Sequence, residues 1–460
     1  MSRTNGGGIC QTLHETHITI FVLLERSQEA NEVHMSLLKK NSSISFITRP
    51  RKRLSVVQIF ERVIALVAAL QALIVTVLLI IAAIRNRRVH DEGFPHISLA
   101  EGRVGENALQ VYCYGQDLYD AMQEAIVGAK ETIYLESYIW KDDAAGQKFK
   151  TLLAQKAAEG VAVYAIYDVF GNLVVPHEFY KTFSPDIHLL GYQFISRPWQ
   201  ILDPRHYALD HRKLLIVDGK IGFIGGYNIG SLYEEKWRDT HLRVCGPAAA
   251  NLAHSFIEFW NRFCPPDQSI KHRYPRRFDP FITIHGNDAL HLTFPIRDIY
   301  IEAIDRADST ILLTNAYFIP DHILLNRLKA AAKRGVDVRI LVPWPSNHIV
   351  ADWISHSYLI ECLEAGIRIF GYSHTMIHAK TCTIDGQWST IGTANIDRLS
   401  SIGNYEINVE IYSSEVAGQM QELFECDTED AFEVTLDYWS SRPLYVKASE
   451  RILAPLRFMM

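Results

Sequence analysis

The stretch HRKLLIVDGKIGFIGGYNIG, residues 211–230, is answered by HAKTCTIDGQWSTIGTANID, residues 378–397. His211, Lys213, Asp218, Gly225 and Asn228 stand at intervals matched position for position by His378, Lys380, Asp385, Gly392 and Asn395. A carboxylate follows each histidine by 28 positions, Asp239 in the first copy and Glu406 in the second. With average residue usage, one such match arises by chance in on the order of one in ten thousand chains of this length, so two in one chain mark a duplication.

The repeat extends on the N-terminal side. AMQEAIVGAKETIYLESYIW, residues 121–140, matches IEAIDRADSTILLTNAYFIP, residues 301–320. In each copy an amphipathic helix runs through a polar turn into an apolar strand, expected over 133–139 and 311–318. A second helix closes at Gly160 or Gly335, ahead of strands expected over 161–167 and 336–342, the signature of a βα unit in a largely parallel sheet. The pattern therefore predicts an α/β chain of two pseudo-symmetric lobes, 105–275 and 276–460. Before them, 1–50 read as a weakly ordered tail and 85–104 as a linker.

Between tail and linker, residues 63–84 form an uncharged run broken only by Gln71 and Thr76. Its 22 residues reach about 33 Å as a helix, the thickness of a bilayer's hydrocarbon core. Arg62 precedes it and Arg85, Arg87 and Arg88 follow, which predicts a single transmembrane helix and a cell-membrane location. Which face of the membrane carries the lobes is left open by the balanced flanking charges. Net charge is −6, from 46 basic and 52 acidic residues, so no overall positive field exists to hold a nucleic acid. Seven scattered cysteines without a C-x-x-C pair suggest neither a disulfide framework nor a zinc site, and no H-E-x-x-H or P-loop is present; no metal or cofactor is expected.

The motif spacing has a chemical reading. Two positions apart on a strand, His211 and Lys213 share one face while Arg212 points away, and the same holds for His378 and Lys380. Asp218-Gly219 and Asp385-Gly386 are hairpin-turn signals, so these two aspartates read as turn or hydrogen-bonding carboxylates, although they belong to the motif. Asp239 and Glu406 are the better candidates to accept a hydrogen bond from the Nδ1 of His211 and His378, leaving Nε2 free to react. The alternative for them is an ordinary sheet-edge charge.

With these motifs the chain resembles the phospholipase D superfamily, whose signature is a duplicated His-x-Lys-x4-Asp followed by Gly and Asn, and most of all its bacterial cardiolipin synthase branch. The similarity covers residues 105–460 and includes Tyr138-Ile139-Trp140, Gly225-Gly226-Tyr227-Asn228, Trp237-Arg238-Asp239 and Ala316-Tyr317-Phe318-Ile319-Pro320. Two departures stand out: Tyr207-Ala208-Leu209-Asp210 precedes the first motif, and Arg398 comes one place early in Asn395-Ile396-Asp397-Arg398-Leu399-Ser400. The resemblance implies two phospholipase D-like α/β/α lobes forming one active site, with His211 as nucleophile and His378 as general acid and then base. Lys213, Lys380, Asn228 and Asn395 would surround the phosphoryl oxygens, the positive groups an anionic diester demands.

The implied reaction passes through a phosphatidyl-histidine, and phosphatidylglycerol is the implied lipid substrate, two molecules yielding cardiolipin and glycerol. Hydrolysis by water or transfer to serine would use the same half-reaction. A membrane-tethered nuclease would need a basic approach groove, against the acidic balance. A noncatalytic binding protein would have no use for both complete motifs. Trp199, Trp344 and Trp353 read as core or as contacts with the bilayer.

Overall fold

The computed structural model describes residues 93–442 apart from 345, together with nine positions between 62 and 80. Those nine are helical and exposed. The expected tail over 1–50 and most of the expected span over 63–84 lie outside the described residues. Among the described residues no helix is long and apolar enough to cross a membrane.

Among the described residues sixteen strands form two sheets of eight. The first takes β1 (Gly102–Val104), β2 (Asn107–Tyr112), β3 (Thr132–Ser137), β4 (Ala162–Asp168), β5 (Ile187–Tyr192), β6 (Lys213–Val217), β7 (Ile221–Gly225) and β8 (His241–Cys245) in the order β1-β2-β8-β7-β6-β3-β4-β5. The second takes β9 (Ile282–Gly286), β10 (Thr310–Asn315), β11 (Asp337–Pro343), β12 (Arg368–Tyr372), β13 (Lys380–Ile384), β14 (Trp388–Gly392), β15 (Ile407–Tyr412) and β16 (Ala431–Val434) in the order β16-β12-β11-β10-β13-β14-β15-β9. Read backwards, β9-β15-β14-β13-β10-β11-β12 repeats β2-β8-β7-β6-β3-β4-β5, so each lobe is one copy of the duplication. β1 begins inside the segment read as linker.

Only β3-β4-β5 and β10-β11-β12 pair in parallel; the other pairings are antiparallel. This corrects the expected largely parallel sheet. A tight turn at Asp218-Gly219 joins only antiparallel neighbours, and each motif strand enters such a hairpin instead of a helical crossover. Both central residues of each turn have positive φ, 51° and 61° in the first and 53° and 61° in the second.

Along β6, Leu214 and Ile216 face one apolar cluster while Leu215 and Val217 face another, which is why LLIV is apolar throughout. The outer cluster is closed by helices α1 (Gly115–Gly128) and α2 (Ala144–Ala158), the inner one by α3 (Ala248–Phe263). In the second lobe α4 (Pro295–Arg306), α5 (His322–Arg334) and α6 (Ile349–Glu364) cover the outer face. There α7 (Ser414–Glu429) takes the place of α3. Leu252 and Phe256 of α3 and Met420 and Leu423 of α7 belong to one continuous inner cluster shared by both lobes. Gly160 and Gly335, at φ 91° and 96°, terminate α2 and α5 in the left-handed conformation that relieves the last turn. The described cysteines are all free.

Candidate active site

Each motif sits where its strand begins. Lys213 opens β6 opposite Ser137, and Lys380 opens β13 opposite Asn315, so both His-x-Lys pairs lie at the edge where β3 and β10 end. Arg212 faces the other way, buried against Glu136 and Asp210 with its guanidinium 4.1 Å from the Phe259 ring.

Two short backbone bridges stitch the lobes together at this edge, Asp210 with Tyr405 and Arg238 with Ile377. The His211 amide donates to the Tyr405 carbonyl (3.0 Å), and the His378 amide donates to the Arg238 carbonyl (2.7 Å). The residue after each bridging partner is a carboxylate. Glu406 therefore lies 3.0 Å from His211 Nδ1 through both oxygens, and Asp239 Oδ2 lies 2.6 Å from His378 Nδ1. Taken in order along the chain, each carboxylate was expected to serve the histidine of its own copy; the fold exchanges them. The cause is the pairing of strand ends across the lobe boundary, which no spacing within one copy encodes.

The two copies brace their carboxylates differently. The Thr393 hydroxyl donates to Glu406 Oε2 at 2.5 Å. At the matching position, Gly226, an added Cβ would stand 2.1 Å from Asp239 Oδ1, so the shorter carboxylate occupies the space of a side chain. Thr240 N–H donates to Asp239 at 2.7 Å. Behind this pair Arg238, in the first lobe, makes a buried two-point ion pair with Asp427 on α7, at 3.0 and 2.7 Å. Asp427 belongs to no motif, and a lone helical aspartate offers no signal in the sequence.

Burial governs the electrostatics. It pushes the His378 imidazole down to about 3, Lys380 adding to the effect, and holds His211 well below its ordinary value together with Lys213 and Lys380. Burial likewise brings Lys213 down to about 7 and Lys380 to about 8, and lifts Glu406 to about 8. Asp239 is held below the usual carboxylate range, the charges of Lys380 and His378 and hydrogen bonds overcoming its burial. Burial thus favours neutral imidazoles at both motif histidines. Lys213 Nζ donates to the His211 carbonyl (2.7 Å), and Lys380 makes the matching bond to His378.

His211, Asn228, His378 and Asn395 line one cleft of about 270 Å³, with Tyr138 and Trp237 packed edge-on or tilted 4.9 Å from the two imidazoles. Asn228 Oδ1 accepts from the Ile139 amide. Asn395 Oδ1, although buried, has no hydrogen-bond partner among the described residues. Asp397, also lining the cleft, is raised to about 7 by burial.

Asp218 and Asp385 are not in the cleft. They sit at the far ends of β6 and β13, where Asp218 accepts from the amides of Lys130, Glu131 and Thr132 at 2.8–2.9 Å and Asp385 from those of Asp308, Ser309 and Thr310 over the same range. A larger cavity of about 450 Å³ is lined by Arg262, Arg276 and Arg277 and holds no motif histidine or lysine. Its arginines are already paired with Asp288, Glu258 and Glu106. Among the described residues no three His, Cys, Asp or Glu side chains converge as a metal ion would require.

Two pseudo-symmetric lobes that each bring a motif histidine and asparagine to one cleft, with Lys213 and Lys380 buried behind them, define the architecture of the phospholipase D superfamily. Residues 300–428 match the family model described as "Cardiolipin synthase, PLD-like domain". A cardiolipin synthase of Listeria monocytogenes is 34% identical over 370 residues, 76% of each chain, and the major cardiolipin synthase ClsA of Bacillus subtilis is 33% identical over 372 residues, again 76% of each. The chain belongs to the cardiolipin synthase family. Its fold is also similar to that of a phosphatidylserine synthase from Haemophilus influenzae, with a TM-score of 0.57 at 14% identity, covering 82% of this chain and 97% of that one.

Proposed function

We propose that the chain is a phosphatidyltransferase that condenses two phosphatidylglycerols into cardiolipin and glycerol. The observation that carries this reading is the pair of histidines in one cleft, each held through Nδ1 by a buried carboxylate of the opposite lobe. Nδ1 engaged in this way leaves Nε2 available for chemistry. His211 attacks phosphorus of the first phosphatidylglycerol, forming the P–N bond as the bond to the glycerol oxygen breaks. His378 gives its proton to that oxygen, and glycerol leaves. It then takes the proton of a hydroxyl on the second phosphatidylglycerol, whose oxygen attacks phosphorus and frees His211. Lys213, Lys380 and the side-chain NH2 groups of Asn228 and Asn395 stabilise the equatorial oxygens, Asn228 having its Oδ1 already engaged by the Ile139 amide.

One diester is exchanged for another in each half-reaction, so no nucleotide drives it. Residues 63–84 are proposed as a single membrane-spanning anchor that keeps the cleft beside its lipids. Alkaline carbonate should leave the full chain in the membrane and extract a variant lacking 63–84.

The decisive experiment incubates the detergent-solubilised protein with labelled phosphatidylglycerol in EDTA. Cardiolipin plus glycerol is the expected product pair. Phosphatidic acid alone would make it a hydrolase, and cleavage of single-stranded DNA with lipid untouched would overturn the lipid reading.

A further inference from the structure

The pseudo-symmetry supplies an internal control that exposes a difference between the lobes. In the second lobe only residues 373–377 separate the end of β12 from His378. In the first, residues 193–210 separate the end of β5 from His211 and fold into two 3-10 turns, Pro198–Leu202 and Pro204–His206. This extension displays Trp199 at 65% and Leu202 at 85% exposure. The neighbouring loop after β4 displays Leu173 at 69% and Val174 at 82%. Phe170 and Phe194 touch, ring centres 5.7 Å apart, joining the two loops, and the Asp210 amide donates to the Asp168 carboxylate at 2.9 Å, tying both to the sheet edge that carries His211.

These loops are built, not frayed. Gln200 Oε1 accepts from the amides of Ser196 and Arg197 at 2.9 Å, and Tyr192 Oη donates to the Ala208 carbonyl at 2.9 Å. At the corresponding point after β11, Trp344 is instead packed on His356, Phe432 and Trp439. Residues 169–176 carry no charge, while 193–207 carry Arg197 and Arg205 against Asp203, with the Arg197 guanidinium 5.6 Å from the Trp199 ring. Arg205 is paired with Asp203 at 2.6 Å, which among the described residues leaves Arg197 beside Trp199 as the one unpaired charge of these loops; ordered loops that present aliphatic and Trp side chains with this single cation, beside a cleft whose proposed substrate has two acyl chains, suit an anionic bilayer surface.

We propose that loops 169–176 and 193–207 dock into the surface of an anionic bilayer, with Leu173, Val174, Trp199 and Leu202 entering the acyl-chain boundary, so that a lipid phosphate reaches His211 while its chains stay in the membrane. This rests on the lipid-transferase reading above. It is tested with the full chain reconstituted in phosphatidylglycerol vesicles. Acyl-brominated phosphatidylglycerol should quench the tryptophan emission of the wild type more than that of Trp199→Phe. Turnover of V174S/L202S should fall about tenfold or more on vesicles and stay within about twofold on monomeric dihexanoyl-phosphatidylglycerol. Equal quenching of wild type and Trp199→Phe, or equal turnover losses on both substrates, would overturn the proposal. So would dimerisation abolished by V174S/L202S, which would assign the patch to a second copy. If the wild type turns over neither substrate the transferase reading fails, and the quenching difference still decides whether the loops enter the bilayer.

Discussion

At the scale of single residues, the depressed imidazoles bear directly on the proposed proton transfers. A group with a folded value of about 3 is unprotonated at neutral pH, yet the acid role proposed for His378 requires it to carry a proton. A bound phosphodiester anion raises that value and those of neighbouring Lys213 and Asp397, so substrate binding is expected to draw protons into the site. Titration calorimetry with a non-reactive phosphonate analogue at pH 7, repeated in buffers of different ionisation enthalpy, should therefore report uptake of at least one proton, reduced in His378→Asn. No uptake in the wild type would contradict the assigned roles. Folding stability carries the opposite signature. Because folding depresses this histidine, its contribution is complete above about pH 6.5 and is lost as pH falls toward 3.

Substitution separates the two histidines further. His211→Ala should abolish both turnover and covalent phosphatidyl labelling, whereas His378→Ala should still accumulate intermediate from a substrate with a good leaving group. Equal labelling of both variants would sink the assignment. Gly226→Ala is expected to act without touching substrate. Its methyl takes the place of Asp239 Oδ1, and tilting the His378 ring by this route should cut turnover about a hundredfold or more, whereas Thr393→Ala leaves the space around Glu406 open and costs less.

At the scale of elements, the hairpins show what local sequence can and cannot specify. Asp-Gly at 218–219 and 385–386 announces a turn because both positions take positive φ, and the apolar run before it announces a strand covered on both faces. Those features are readable because they depend on neighbours in the chain. Which strand lies alongside is not, and in the sheets expected to be largely parallel the parallel pairing holds only for β3-β4-β5 and β10-β11-β12. The exchange of Glu406 and Asp239 and the Arg238–Asp427 pair were hidden for the same reason: they depend on contacts between residues more than a hundred positions apart. The turn carboxylates themselves hold three backbone amides each, so Asp218→Ala or Asp385→Ala should lower unfolding stability by about 1–3 kcal/mol in chemical denaturation. Activity at permissive temperature should persist in both, since neither residue reaches the cleft; a catalytic loss without a stability loss would reverse that placement.

At the scale of the whole molecule, the inner apolar cluster and the two backbone bridges make the lobes one cooperative body. The buried Arg238–Asp427 pair crosses that boundary, and Asp427→Ala leaves a guanidinium without its partner in a dry interior. Such a loss costs about 3–5 kcal/mol, and it should appear as a lowered Tm together with a weakened grip on Asp239. Asp427→Asn, which keeps one acceptor, should recover part of it.

The crossed carboxylates also bear on how the gene tolerates change. On the proposed roles, a fault introduced at Asp239 should be felt as a defect in the acid arriving from the far half of the polypeptide, and one at Glu406 as a defect in the nucleophile encoded almost two hundred codons upstream. Suppressor mutations selected against either lesion should accordingly fall in the other half, and a chimera that borrows one half from a distant homologue inherits mismatched partners at both reacting rings.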